Sequence, residues 1–303
     1  MRSLFQRLFL AVAVASGVGA VLGFFGHFHW VLDLFSHFRL QYAIVLLPAT
    51  LVFWRRGLLG VVLIGATLGN AWAIYPIMNG KIALADTGGV LRVATINLNY
   101  KNQRIDAVLA YLRDANADVL LLQEVTPEWE AALRTLRDGY PYAWFATRTD
   151  PFGIALLSRR PCTDCRVADF GVTPAIVGRF EVASGEIEVV GIHPPPPTSA
   201  GMTAARDALL LSVSDYLNRG RRHRIVLGDL NATPWSAGFR TFVARSGLGA
   251  DGTLHSTWPS HIGLPLIPID HILVSSELGL TRVARGPDLG SDHYPLRADI
   301  VLR

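Results

Sequence analysis

The sequence predicts an α/β protein in which two β-sheets pack face to face with helices outside, preceded by an N-terminal transmembrane helical region. Three observations carry this expectation. Residues 1–78 hold three long apolar runs. From Leu91 onward, many short strand-like runs are interleaved with a few stretches of helical spacing. Several polar motifs stand directly after apolar runs, where buried strands end and active sites of layered folds collect. At 303 residues, half of them hydrophobic, the chain suffices for one full domain plus an additional apolar part.

That apolar part comes first. From Leu4 to Phe25 the chain is nearly all apolar behind Arg2 and Arg7, and about 20 such residues span a bilayer as a helix. Ala13-Val14-Ala15 imitates a signal-peptide cleavage site, but the apolar stretch runs well past it, which favours an anchor. A second run covers about Leu40 to Trp54 and a third Leu58 to Met78, separated by Arg55-Arg56-Gly57. The second is short, contains Pro48 and is flanked by Arg39, which would have to snorkel; if it does not cross, the topology inverts. With three spans, Arg2, Arg7, Arg55 and Arg56 fall on one side and Arg39 and Lys81 on the other. The positive-inside bias then places a multi-pass protein in the cell (inner) membrane, with its C-terminal domain extracytoplasmic or periplasmic. Gly65 and Gly69 have the spacing of close helix contact. His27, His29 and His37 sit among aromatics and read as interfacial packing rather than metal ligands.

Six basic and two acidic residues precede residue 88, and 22 of each follow it, so the overall charge of +4 belongs to the membrane region. A balanced soluble part lacks an overall polyanion-binding charge. Arg221-Arg222-His223-Arg224 is a local exception that reads as a solvated turn. The two cysteines, in Cys162-Thr163-Asp164-Cys165, have no second pair to complete a zinc site. They read as a local disulfide in an oxidising compartment or as two free thiols.

Residues 79–90 are polar and glycine-containing, a linker between the membrane region 1–78 and a catalytic domain over 91–303. The elements then follow in order: strand Leu91 to Leu98, helix Arg104 to Asn116, strand Val119 to Leu122, and a helix from Pro127 to about Arg137 capped by Thr126. Strands Tyr142 to Ala146, Gly153 to Ser158, Arg166 to Phe170, Ile176 to Val182 and Glu186 to His193 come next. Helix Thr203 to Asn218, strand Arg224 to Leu227, a helix near Ser236 to Arg245, strand Asp270 to Val274 and strand Leu296 to Leu302 complete the chain.

The strand-end motifs carry the chemistry. Asp229 and Asn231, two apart at a strand end, project to one face and together can hold a single water, Asp229 accepting its proton and Asn231 fixing its approach. Gly228 keeps that turn open. Glu124 closes an apolar strand with no cation in sequence beside it, which suits a hard metal ion; Mg²⁺ needs one or two carboxylates, so Glu124 helped by Asn97 and Asp292 would suffice. Asp270 can fix the tautomer of His293 and favour its protonated form, preparing it to stabilise phosphoryl charge or move a proton. His271 alternates with Asp270 and points elsewhere. His193 ends an apolar run before Pro194 to Pro197, a stiff segment that would hold it at the pocket rim. Trp235 and Trp258 are candidate substrate-binding lips, although core packing explains a tryptophan equally well.

These motifs resemble the endonuclease/exonuclease/phosphatase superfamily, the DNase I-like fold, from about Leu91 to Arg303. Thr95-Ile96-Asn97 is similar to its first metal-site motif, Leu122-Gln123-Glu124 to its metal-binding glutamate, and Gly191-Ile192-His193 to its phosphate-contacting histidine. Gly228-Asp229-Leu230-Asn231-Ala232-Thr233-Pro234 resembles the catalytic Asp and Asn motif. Ile269-Asp270-His271 resembles the histidine-orienting aspartate and Ser291-Asp292-His293 the terminal catalytic pair. The resemblance implies a four-layered α/β sandwich and hydrolysis of a P–O bond with Mg²⁺ or Mn²⁺. Family members cut DNA, RNA, sphingomyelin, inositol phosphates and lipid-linked phosphates, and the fold alone does not choose among them. The compact, charge-balanced domain and the three spans resemble membrane-anchored bacterial relatives. The expectation is therefore a membrane-proximal phosphoesterase whose partners are the lipid bilayer and a phosphorylated small-molecule or lipid substrate. A tethered, sequence-tolerant nuclease and a non-catalytic membrane protein retaining the fold are the alternatives.

Overall fold

The computed structural model describes residues 2–78, 91–182, 185–220, 222–263 and 266–302. The linker expected over 79–90 lies outside the described residues. Helices α1 (Arg2–Leu22), α3 (Arg39–Phe53) and α4 (Gly57–Met78) pack on a small core of Ala13, Ala20, Leu46, Ala49, Phe53 and Leu63. Their outer faces are apolar too: Ile44, Leu51, Leu58, Val61 and Leu68 are exposed, the pattern of helices surrounded by hydrocarbon. Three segments, Leu4–Phe25, Trp30–Phe53 and Gly57–Tyr75, are long and apolar enough to cross a membrane. The second is longer than the run read from sequence because a short helix, α2 (Trp30–Leu34), and the 3-10 turn Phe35–Phe38 lead into α3. The 15 residues of α3 rise only about 22 Å at 1.5 Å per residue, less than the ~30 Å hydrocarbon core. Arg39 does not snorkel. It is 2% exposed, donates to the Ala20 carbonyl at 2.7 Å, and lies over the Phe24 ring, while Asn70 returns a bond to the Arg39 carbonyl.

The C-terminal part is a four-layered sandwich. One sheet has six strands in the order β10-β11-β1-β2-β4-β3, from β1 (Leu91–Asn97), β2 (Val119–Gln123), β3 (Tyr142–Ala146), β4 (Ile154–Ser158), β10 (Leu278–Arg285) and β11 (Leu296–Leu302). The other has five in the order β5-β6-β7-β8-β9, from β5 (Cys162–Asp169), β6 (Pro174–Val182), β7 (Gly185–Gly191), β8 (Arg224–Asp229) and β9 (Asp270–Val274). Each sheet is mixed, with β1 parallel to β2 and β7 parallel to β8. Alternate residues such as Val93, Leu121, Val189, Leu227 and Ile272 interdigitate between the sheets. The other set, including Ile96 and Leu122, packs under α5 (Ile105–Asp114) and α6 (Pro127–Leu133). On the opposite side, Val190, Val226 and Leu273 pack under α7 (Ala200–Asn218) and α8 (Ala237–Ser246).

Two strands depart from the sequence reading. β10 was not expected: its pairing with β11 shifts register between Thr281 and Ala284 with Arg282 left-handed at φ 50°, and such a bulge erases the two-residue alternation that marks a strand. β5 starts at Cys162 rather than Arg166, and its register shifts where a disulfide joins Cys162 to Cys165. Gly178 on β6 leaves room for the two sulfurs, which a Cβ at that position would overlap.

The segment between α1 and α3 touches the sandwich. Asp33 accepts from the Ala237 amide at 2.8 Å, at the start of α8, and from Arg206 Nη2 at 3.2 Å. His37 Nδ1 lies 3.0 Å from Thr233 Oγ1, and Gln41 donates to the Leu266 carbonyl at 2.7 Å. Asp33, His37 and Arg206 are all buried. Thr233 and Ala237 flank the turn that follows β8, so this segment braces the loop carrying Asn231.

Candidate active site

Period-two alternation brings the site together. Asn97 continues the inward set Leu91 and Val93 on β1, Asp229 continues Ile225 and Leu227 on β8, and Asp270 precedes Ile272 and Val274 on β9. All three therefore face the space between the sheets at one end. Glu124 has the parity of the outward residues Leu120 and Leu122, and it reaches the site because its own backbone is left-handed at φ 60°. Gly228 has φ 145°, and a side chain there would run into the carbonyl of Ile192. Its absence lets the His193 segment lie against Asp229.

Asp229 is the hub. Its Oδ1 accepts the Asn231 amide at 2.9 Å, and its Oδ2 accepts Asn97 Nδ2 at 3.1 Å. The Nε2 atoms of His193 and His293 each stand 3.6 Å from Oδ2. Behind His293, Asp270 Oδ2 lies 2.9 Å from Nδ1 and also accepts the Thr257 hydroxyl at 2.5 Å. Burial pushes the Asp229 carboxyl up, but the opposing charge of His293 and the hydrogen bond and charge of His193, with the Asn231 amide, hold it at about 2. Burial pushes His293 down, and the carboxylates of Asp270 and Asp229 outweigh it, raising the imidazolium to about 10.

Asp229, Asp270 and His293 offer atoms within 4.8 Å of one another, close enough for one ion. Hydrogen bonding already accounts for that cluster, because the nitrogen facing Asp270 is committed to it. Glu124 and Asp292 suit a cation better. Glu124 Oε2 accepts the Tyr100 amide at 2.9 Å and Oε1 accepts Asn97 Nδ2 at 3.0 Å. Asp292 accepts Asn99 Nδ2 at 2.8 Å and Trp258 Nε1 at 3.1 Å. Among the described residues no Lys or Arg pairs with Glu124, Asp229, Asp270 or Asp292, so four carboxylates face two histidines. An all-oxygen donor set with excess negative charge fits Mg²⁺ or Mn²⁺.

Three placements differ from the strand-end picture. β8 ends at Asp229, and Asn231 lies in a left-handed turn at φ 48° with its Nδ2 on the Pro194 carbonyl at 3.0 Å; a turn, not strand alternation, brings it beside His193. His193 is 3% exposed and so lies in the floor rather than at the rim. Asn97 presents its amide nitrogen to both Glu124 and Asp229, and its Oδ1 accepts the Asn99 amide; ligation through Oδ1 requires the amide to turn over. Trp258 reaches the site through Asp292, whereas Trp235, 5% exposed, lines a cavity shared with α3 and α4. His271 is bonded to the Ala232 carbonyl and packs on Phe239. Sequence reasoning passed over Asn99 and gave no role within its motif to Ser291, whose hydroxyl joins the Asn97 carbonyl to the His293 amide. Asn99 repeats Asn97 at a two-residue interval, which was the available signal.

The model of the Endonuclease/Exonuclease/phosphatase family matches residues 94–293, two thirds of the chain and every residue of the site. Comparison with curated protein sequences gives no match. Among solved structures, an endonuclease/exonuclease/phosphatase from Beutenbergia cavernae is 20% identical with a TM-score of 0.58, covering 70% of this chain and 71% of its own. A humanised D. rerio TDP2 is 16% identical with a TM-score of 0.57, over 70% of this chain and 98% of that one. Beta toxin from Staphylococcus aureus, in a variant with bound magnesium ions, is 17% identical with a TM-score of 0.54, over 69% and 99%. These likenesses share the DNase I-like sandwich. Carrying that fold and a family match that spans Asn97, Glu124, Asp229, Asp270 and His293, the chain belongs to the endonuclease/exonuclease/phosphatase family of metal-dependent phosphoric ester hydrolases.

Proposed function

We propose that this protein is a membrane-anchored phosphoesterase that hydrolyses a P–O bond of a phospholipid or lipid-linked phosphate at the outer face of the cytoplasmic membrane. The observation that carries the lipid reading is the docking of Asp33 and His37 on the loop after Asp229, which holds the catalytic loop against the ends of the apolar helices. The same contacts support a three-crossing arrangement, in which the α1–α3 connection and the sandwich lie on one side. Arg55 and Arg56, at the α3–α4 turn, then face the cytoplasm. A disulfide at Cys162–Cys165 fits the oxidising exterior.

In this reading Glu124 and Asp292 would hold the metal ion, and Asn97 could join them through its Oδ1. When bound, the ion supplies charge neutralisation at the phosphoryl oxygens and a fixed position for the phosphate. Asp229 orients the attacking water and takes its proton as the new P–O bond forms, since a carboxyl at about 2 is too weak a base to take it earlier. Asn231 and His193 fix the direction of approach. His293, kept protonated by Asp270, meets the charge that builds on the phosphoryl oxygens and can return a proton to the leaving oxygen. The product is a phosphorus bearing the water oxygen, with the leaving group released as the protonated alcohol or phosphate.

A hydrolysis panel on the detergent-solubilised full chain with Mg²⁺ tests this, comparing polyprenyl pyrophosphate, phospholipids, inositol phosphates and plasmid DNA by released orthophosphate, released phosphorylated headgroup or strand nicking as each substrate requires. Lipid hydrolysis that disappears in Asp229→Ala supports the reading; plasmid nicking alone replaces it with a tethered nuclease. A reporter fused after Arg303 that is active only in an oxidising compartment supports the orientation, and cytoplasmic activity rejects it.

A further inference from the structure

Beside the outer ends of α3 and α4 lies a cavity of about 660 Å³ that meets the catalytic residues only at Asp270 in its lining. Its volume falls within the ~300–1,000 Å³ of small-molecule sites. One wall comes from the membrane helices, through Arg39 and Trp72, and the other from the sandwich, through Trp235, Phe239, Arg240 and Val243. Trp72 is 69% exposed at the end of α4 nearest the sandwich, the level at which tryptophan sits in a bilayer. Two further observations point to a ligand. Trp235 is 5% exposed, yet its indole N–H has no hydrogen-bond partner, which a buried indole ordinarily finds. Arg240 is exposed and, among the described residues, has no ion-pair partner, while Asp251 in the same lining is already taken up by Thr253 and His255.

We propose that this cavity is a lipid site, taking one hydrocarbon chain of an anionic phospholipid from the bilayer, with its headgroup phosphate on Arg240. The wall chemistry fits that occupant: Phe239 and Val243 present apolar surface to the chain, the unpartnered Trp235 N–H can donate to the ester carbonyl at the head of that chain, and a guanidinium binds a phosphate bidentately. Continuity with the outward apolar face of α4 gives a chain a path in without crossing water. The assignment rests on the membrane embedding proposed above, but not on the substrate of the active site.

The test reconstitutes the full-length protein into phosphatidylcholine vesicles doped with phosphatidylglycerol carrying a photoactivatable diazirine on one acyl chain, with cross-links mapped by mass spectrometry. Labelling is expected within residues 235–248 as well as on the outward faces of α1, α3 and α4. Ala244, an exposed cavity residue, serves to block it: Ala244→Trp should cut labelling of 235–248 by about tenfold, equivalent to ~1.4 kcal/mol, and leave helix labelling intact. Arg240→Glu should lower it for phosphatidylglycerol and not for a photoactivatable phosphatidylcholine. Both variants should keep wild-type turnover of a water-soluble phosphodiester, which shows that they fold. Labelled helices with an unlabelled 235–248 segment overturn the lipid site alone. Helices that do not label at all overturn the membrane embedding, and the lipid site with it.

Discussion

Replacing Asp33 by alanine removes the polar centre of the contact between the N-terminal apolar helices and the sandwich. Arg206, wholly buried, then keeps Asp207 at 2.8 Å as its one carboxylate, and the Ala237 amide loses its acceptor. Removing one partner of a buried pair costs ~3–5 kcal/mol, and an orphaned buried amide ~1–3 kcal/mol. Because Asp207 still neutralises Arg206 and the Ala237 amide is only part-buried, both contributions should fall at or below their low ends, for a total of ~3–4 kcal/mol. For a unit of this size, ~2–4 °C per kcal/mol gives a fall in Tm of ~6–16 °C. Arg206 also donates to the Asn231 carbonyl at 3.3 Å, so kcat should fall while KM for a soluble substrate changes little. The assay is thermal unfolding of the full chain in detergent, with kinetics on the same preparation. Asp33→Asn, which keeps the acceptor, should lose less, and Asp33→Leu with Arg206→Met should recover most of the loss by exchanging the pair for apolar packing. A Tm within ~2 °C of wild type for Asp33→Ala would refute the docking argument.

Three further outcomes follow from the geometry. The raised folded value of His293, about 10 against 6.5 unfolded, means its ion pair contributes fully below pH 6.5 and is lost as pH rises through about 10. Asp270→Asn gives up a charge-assisted bond of ~1.5–3 kcal/mol, or ~1–2 pH units at ~1.36 kcal/mol each. The alkaline limb of kcat/KM should move down by that amount, and superimposable profiles would contradict the His293 assignment. Glu124→Gln keeps an acceptor for Tyr100 but loses its charge, and half-maximal Mg²⁺ should rise by at least ~10-fold; an unchanged requirement in a metal titration would remove Glu124 from the metal site. Gly178→Val drives a side chain into the Cys162–Cys165 sulfurs and should cost ~1–3 kcal/mol as overpacking. Thermal unfolding should show that penalty shrinking when both cysteines are serine, and a penalty that persists places the strain elsewhere.

The sandwich was legible because its inner strands are local, high-contrast signals. Tyr142–Ala146, Asp270–Val274 and Leu296–Leu302 form with the bounds read from the sequence, since apolar periodicity and flanking turn residues suffice there. Where the backbone breaks period, legibility fails. A bulge hid β10, and the left-handed conformations of Glu124 and Asn231 mean that strand parity could not say how either reaches the site. The candidate site residues could be named from strand ends, but their wiring could not. That Asn97 bridges Glu124 and Asp229, that Asn99 holds Asp292 and that Asn231 leans on Pro194 depend on contacts between segments far apart in the chain. The docking of Asp33 and His37 is the extreme case: partners 173 and 196 residues apart leave no pattern in either segment. Trp235 illustrates the remaining ambiguity, because a tryptophan after a catalytic motif serves a lip or a neighbouring cavity equally well in sequence, and here it lines the cavity.

The most direct test of the central claim is hydrolysis of a lipid phosphate by the full chain in vesicles, measured for wild type and Asp229→Ala with plasmid DNA as the competing substrate. Mg²⁺-dependent release of phosphate or phosphorylated headgroup from the lipid is expected, abolished by the substitution, with DNA left intact. Nicking of the plasmid with no release from any lipid phosphate would contradict that claim.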